Sequence, residues 1–161
     1  MDAIELLTSQ HRDVERLFAE CEYAEGAGAE KEWSFRMLAN ALAAHMTIEE
    51  QIFYPASKDA RTEEALREAV EEHLSIKRLL ADMLASDIED EQFDARLTVL
   101  KEQVDHHVQE EEDQLFVNVK TVLDEERLEE LGGMMESLYA LMMEGEPSAM
   151  VPGETDAPAP I

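Results

Sequence analysis

A single cysteine, Cys21, stands in 161 residues, so no internal disulfide can form and a reducing compartment is expected. Basic side chains are scarce: 13 Lys and Arg face 39 Asp and Glu, a formal net charge of −26. Nucleic acid and anionic membranes need a basic surface, so neither is an expected partner. Long apolar runs are missing too. The opening MDAIELLTSQHRDVERLF also lacks a basic segment, so neither a signal peptide nor a membrane span is expected, and the expected location is the cytoplasm. Sustained alternation of apolar and polar residues is absent, which argues against strands. Prolines are few before residue 145, and four of the five fall after it.

What remains is a body that is 45% apolar overall, with helical spacing almost throughout. A first helix is expected from Asp2 to the Gly26–Gly28 break, with Ile4, Leu7, His11, Val14 and Leu17/Phe18 on one stripe. A second starts near Ala29–Lys31 and ends soon after Pro55, carrying Phe35, Leu38, Leu42, His45, Glu49 and Ile52. A third opens at Thr62 as a capping residue and presents Leu66, Val70, His73, Lys77, Leu80 and Leu84, up to a break at Ser86–Asp90. The fourth runs from Glu91 to Val122, with Phe93, Leu97, Leu100, Val104, His107, Glu111 and Leu115 on one face. A fifth, Asp124–Met143, is interrupted at Gly132–Gly133, and its methionines are read as packing or as a cap on the bundle. The pattern predicts an all-α, antiparallel up-down four-helix bundle over 1–144 with an additional C-terminal helix. Residues 145–161, acidic and Pro-rich, are expected to be a flexible tail.

Four of the five histidines lie on these apolar stripes, one per helix: His11, His45, His73 and His107. His106 points about 100° away from its neighbour and outward. Two of the inward histidines are followed four residues later by an acid, in HMTIEEQIFYP (His45, Glu49) and HVQEEEDQLF (His107, Glu111). That spacing returns to one helix face, so each pair offers a nitrogen and a carboxylate oxygen to one object. In both copies a second acid follows (Glu50, Glu112), and apolar residues fill the eighth and ninth places after the His: Phe53 and Tyr54, Leu115 and Phe116. Two buried carboxylates need compensating charge, and the one inward-phased base is Lys77. Bound metal supplies it. A mixed N/O donor set without thiolate suits iron or manganese, and six donors suit two ions bridged by carboxylates. Tyr54 falls about half a turn from His45 and Glu49 in α-helical phase, so it is left outside the site.

At these residues the chain resembles the hemerythrin-like, HHE cation-binding family, over about residues 1–120. The order His, His-x-x-x-Glu, His, His-x-x-x-Glu carries the likeness. The resemblance implies a non-haem di-iron centre with Glu49 and Glu111 bridging and His11, His45, His73 and His107 as terminal ligands. An oxo or hydroxo group would complete the bridge. Oxygen-carrying hemerythrins have a fifth His four after the third-helix His, where this chain has Lys77, so it looks like the four-His, two-Glu subgroup. Counting donors then leaves one position open on each iron.

The expected function is binding or reduction of a small oxidant (peroxide, O₂ or nitric oxide), with catalase-like detoxification as the expected reaction if the chain is an enzyme. Alternatives are an oxygen or iron sensor without turnover, and iron or O₂ storage. Lys77 is read either as a core-edge residue whose ammonium reaches solvent, or as a residue of the metal pocket. Glu50 and Glu112 are expected as partners of the ligand imidazoles. No pattern identifies a protein partner.

Overall fold

The computed structural model describes residues 1–24 and 28–161. No strand occurs among the described residues. Helix α1 spans Ala3–Glu22 and starts on a capping box. There Asp2 accepts from the Glu5 amide (2.8 Å), and the Asp2 amide donates to the Glu5 side chain (3.1 Å). The break expected at Gly26–Gly28 falls mostly outside the described residues. Helix α2 begins at Gly28 and runs as an α-helix to Ile48, widens into a π-helical turn over Glu49–Phe53, and finishes at Tyr54–Ala56. Helix α3 covers Glu63–Ala85. Helix α4 repeats the plan of α2: α-helix over Phe93–Glu110, a π turn at Glu111–Leu115, then Phe116–Val122. Helix α5, Glu125–Met143, is capped by Asp124, which accepts from the Arg127 amide at 2.9 Å.

Helices α1 to α4 form the bundle, and α5 lies across α1 and α2. Two apolar clusters fill it. One gathers Phe18, Leu38, Leu80, Phe93 and Leu100, the other Leu7, Ile48, Phe53, Leu66, Phe116 and Met135. Each of α1 to α4 passes from one cluster to the other near its inward histidine, so a polar layer separates two apolar ones. No helix among the described residues is long and apolar enough to cross a membrane.

Three expectations are corrected. The Gly132–Gly133 pair does not interrupt α5. A Cβ at Gly132 would sit 2.4 Å from the Met1 carbonyl oxygen and 2.9 Å from the Ala3 amide, so glycine here admits the backbone that starts α1. Thr62 stands at the start of α3 without capping it. Its hydroxyl donates to the Ser57 carbonyl (2.7 Å) and accepts from the Asp59 amide (3.0 Å), closing the preceding loop instead. The flexible tail expected from residue 145 is instead ordered over Pro147–Glu154 as a 3-10 helix lying between α2 and α3. Pro147, Ser148 and Val151 are buried, the Ser148 amide donates to Asn40 Oδ1 (3.1 Å), and Arg78 Nε donates to the Thr155 carbonyl (2.9 Å). Composition undervalued this segment because its few apolar residues land in a seam already built by other helices.

Candidate metal centre

The six inward side chains read from the sequence meet in the polar layer. His11, His45, Glu49 and Glu111 form one group, and Glu49, His73, His107 and Glu111 form a second, the donor atoms within each lying within 4.8 Å of one another. All six are buried. The two glutamates belong to both groups, one oxygen in each. Glu49 Oε1 is 3.1 Å from His45 Nε2 and Glu49 Oε2 is 3.0 Å from His73 Nε2. Glu111 Oε1 is 2.8 Å from His107 Nε2 and Glu111 Oε2 is 3.5 Å from His11 Nε2. Two carboxylates thus span two imidazole pairs, a mixed N/O donor set suited to metal cations.

The outer ring nitrogens are held as metal-binding imidazoles require. His11 Nδ1 faces Glu112 Oε1 at 2.7 Å, His45 Nδ1 faces Gln10 Oε1 at 2.7 Å, and His107 Nδ1 faces Glu72 Oε1 at 3.1 Å. Each acceptor fixes the Nδ1–H tautomer and turns the Nε2 lone pair inward. In the second group the inward atoms have neighbours, His73 Nε2 lying 3.0 Å from His107 Nε2, whereas those of the first group are left without partners. His11 Nε2, His45 Nε2, Glu49 Oε1 and Glu111 Oε2 are buried and make no hydrogen bond, and all four belong to the first group. Such orphaned atoms are costly unless something binds them. A divalent cation fits: it accepts both nitrogens and oxygens, and its charge offsets the carboxylates.

In the absence of metal, protons substitute for that charge. Burial alone would lower the His107 pKa, but the Glu111 charge and hydrogen bonds to Glu111 and Glu72 hold it well above the ordinary value. His11 and His73 are raised in the same way, burial being overcome by Glu111 for the former and by Glu49 and Glu50 for the latter. Burial would raise both glutamates, and Glu49 feels Glu111 besides, yet the histidines hold Glu49 below and Glu111 well below the usual carboxylate range.

Tyr54 is part of this site, against the sequence expectation. Its hydroxyl donates to Glu111 Oε1 and lies 3.3 Å from Glu49 Oε2 and 3.2 Å from His73 Nε2. Burial, followed by the charges of Glu111 and Glu49, holds its pKa well above 10, so the phenol keeps its proton. The π turn explains the difference. The Tyr54 amide bonds the Glu49 carbonyl five residues back, which brings Phe53 and Tyr54 inward and leaves Ile52 half-buried. In α4 the Phe116 amide bonds the Glu111 carbonyl in the same way, and the Phe116 ring stacks on His11 at 5.9 Å and 3°. The signal was the paired apolar residues at the eighth and ninth places after each His.

Lys77 does not reach solvent. It is 5% exposed and donates to both oxygens of Glu50, at 2.6 and 2.9 Å, while Glu50 Oε1 faces His73 Nδ1 at 3.7 Å. It therefore acts on the cluster through a carboxylate. His106 points outward as read, and is 66% exposed in its side chain beside Glu72 and Glu110.

Residues 2–118 match the family described as Hemerythrin HHE cation binding domain. A DNA nickase from Nostoc sp. (strain PCC 7120 / SAG 25.82 / UTEX 2576) is 28% identical over 130 residues, 81% of this chain. The chain spans 37% of the length of that relative. A hemerythrin HHE cation binding domain-containing protein from Mycobacterium kansasii, solved by crystallography, superposes with a TM-score of 0.79 at 23% identity. That likeness covers 89% of this chain and 88% of the other, and it speaks for the fold.

Proposed function

The chain belongs to the hemerythrin HHE cation-binding family, and on that premise we propose that it holds two iron ions and consumes a small oxidant, hydrogen peroxide above all. His11 and His45 would hold one ion and His73 and His107 the other, with Glu49 and Glu111 shared. The observation that carries this reading is the pair of buried His/Glu groups that share Glu49 and Glu111, the first of them with four donor atoms that make no hydrogen bond. When bound, the two irons would supply the two electrons that one peroxide takes up on cleavage to water and recover them from a second peroxide, which leaves as O₂. Tyr54 holds a proton within hydrogen-bond reach of both shared carboxylates, where a departing oxygen of the substrate needs one. The Glu112, Gln10 and Glu72 side chains orient three of the imidazoles, and Phe116 shields the His11 face from water.

A second reading, a sensor without turnover, is favoured by one observation. Glu154 of the C-terminal segment lies 3.7 Å from Lys77, which holds Glu50 against His73, so this segment touches the cluster through a chain of charges. DNA nicking is not carried over from the Nostoc relative, because a net charge of −26 suits a phosphate backbone poorly.

Iron content and the optical spectrum after anaerobic loading, followed by gas evolution on adding peroxide, test the proposal. Two irons per chain and rapid gas evolution are expected. No bound iron, or more than a dinuclear content, would sink the di-iron reading. Two irons without gas evolution would leave the sensor.

A further inference from the structure

We infer that the seam between α1 and α4 is the port through which a small uncharged oxidant reaches the His/Glu cluster, and that the Arg12–Glu112 ion pair is its door. The inference rests on the proposed oxidant chemistry for its substrate, and on the packing of the bundle for its location. Among the described residues the other three seams are covered or closely packed at the level of the cluster. The α1–α2 seam is covered by α5, and α3 packs directly on α4. The α2–α3 seam is filled by residues 147–154, with Val151 1% exposed and the Lys77–Glu50 pair buried beneath. The α1–α4 seam, by contrast, is sparsely packed and holds a cavity of about 380 Å³.

That cavity has apolar sides, Val14, Phe18, Val104 and Val108, and it ends at His11 and Glu112. A cluster histidine is therefore part of its wall. Hollows elsewhere stop short of the donors: one beside α5 ends at Gln10, and one on the α3–α4 face ends at Glu72. At the inner end His11 is 3% exposed and its Nε2 is directed into the cluster, so a molecule beside Glu112 is one imidazole ring away from the metal positions. Glu112 closes this end, hydrogen-bonded to His11 Nδ1 at 2.7 Å and paired on its outer side with Arg12, whose side chain is 55% exposed and also faces Glu15 at 3.4 Å. Glu15, Asp105 and Asp113 line the cavity as well, so small anions are repelled while neutral hydrogen peroxide or nitric oxide passes.

Val108→Trp and the milder Gln109→Trp place a bulky ring in the cavity, and Arg12→Ala releases the door. Two measurements read them. In the reduced, iron-loaded protein, the rate of absorbance change on mixing with nitric oxide should fall about tenfold in Val108→Trp, with iron content and final amplitude unchanged, and the rate per bound iron should rise in Arg12→Ala. In iron-free protein, mass spectrometry should find His11 modified by diethyl pyrocarbonate about tenfold faster than His73, with the tryptophan variants removing that difference. Equal reactivity of His11 and His73 in the wild type, or unchanged rates in both tryptophan variants, would overturn the port. Failure of the wild type to hold iron would overturn the proposed function instead, and the iron-free measurement would still decide the port.

Discussion

The stretches His45–Tyr54 and His107–Phe116 follow one plan and end in different chemistry. Each supplies a histidine, a shared glutamate four residues later, a π turn beginning at that glutamate, and a second acid that faces a histidine across the bundle. In the α2 copy the ninth place is Tyr54, a proton donor to the carboxylates; in the α4 copy it is Phe116, a ring stacked on His11. In the α2 copy the second acid, Glu50, is buried with Lys77 under the C-terminal segment. In the α4 copy it is Glu112, paired with exposed Arg12 at the edge of a cavity. The repeated part builds the donor cage. The unrepeated part decides where a proton is held and from which side the cage is reached.

The buried ion pair should give the largest difference when it is broken. Lys77→Met leaves Glu50 buried without its cation and is expected to destabilise the metal-free protein by about 3 kcal/mol or more in urea unfolding. Burial alone would raise Glu50, while His73 and Lys77 hold it below the usual range. Its contribution is thus present above the ordinary carboxylate pKa and lost as pH falls through the depressed one, so the variant's deficit should shrink in acid. Making the ninth places alike is the next test. Tyr54→Phe removes the one phenol among the donors and is expected to slow peroxide consumption about a hundredfold with iron content unchanged. Loss of iron in that variant would mean that the hydroxyl serves the cage rather than the proton.

The cage was legible in the sequence because helical phase alone selects His11, His45, Glu49, His73, His107 and Glu111, and the helix spans follow from the same periodicity. Tyr54 was not, because its phase was counted at an α-helical turn and the π turn adds a residue between Glu49 and the next inward position. Lys77 could be phased inward, but its partner could not be named, since Glu50 comes from a different helix. The C-terminal segment was misjudged from composition, which does not reveal a seam waiting to be filled by Pro147 and Val151. Gly132 looked like a break because its reason lies at the other end of the chain, in the backbone of Met1–Ala3.

Protons and metal compete for the cage, which gives a smaller effect common to both copies. The raised pKa values of His11, His73 and His107 stabilise the metal-free fold in acid, and that contribution is lost as pH rises through them. The lowered values of Glu49 and Glu111 act in the opposite sense, being lost as pH falls. Metal must displace the histidine protons, so its apparent affinity should climb with pH above the ordinary histidine pKa. Calorimetric titration with ferrous ion in buffers of differing ionisation enthalpy should show net proton release at neutral pH; no release would mean the histidines are already neutral.

The smallest effect belongs to the exposed pair. Arg12→Ala removes a guanidinium that water largely screens, so the loss of stability should stay below about 1 kcal/mol in the same unfolding assay that reads Lys77→Met. The contrast is what separates a seal from a door. Both cations hold an acid against a cluster histidine, but a seal must be costly to break and a door must not. If Arg12→Ala cost as much as Lys77→Met, the α1–α4 seam would be held as firmly as the α2–α3 seam, and the asymmetry between the two copies would be one of appearance rather than of energy.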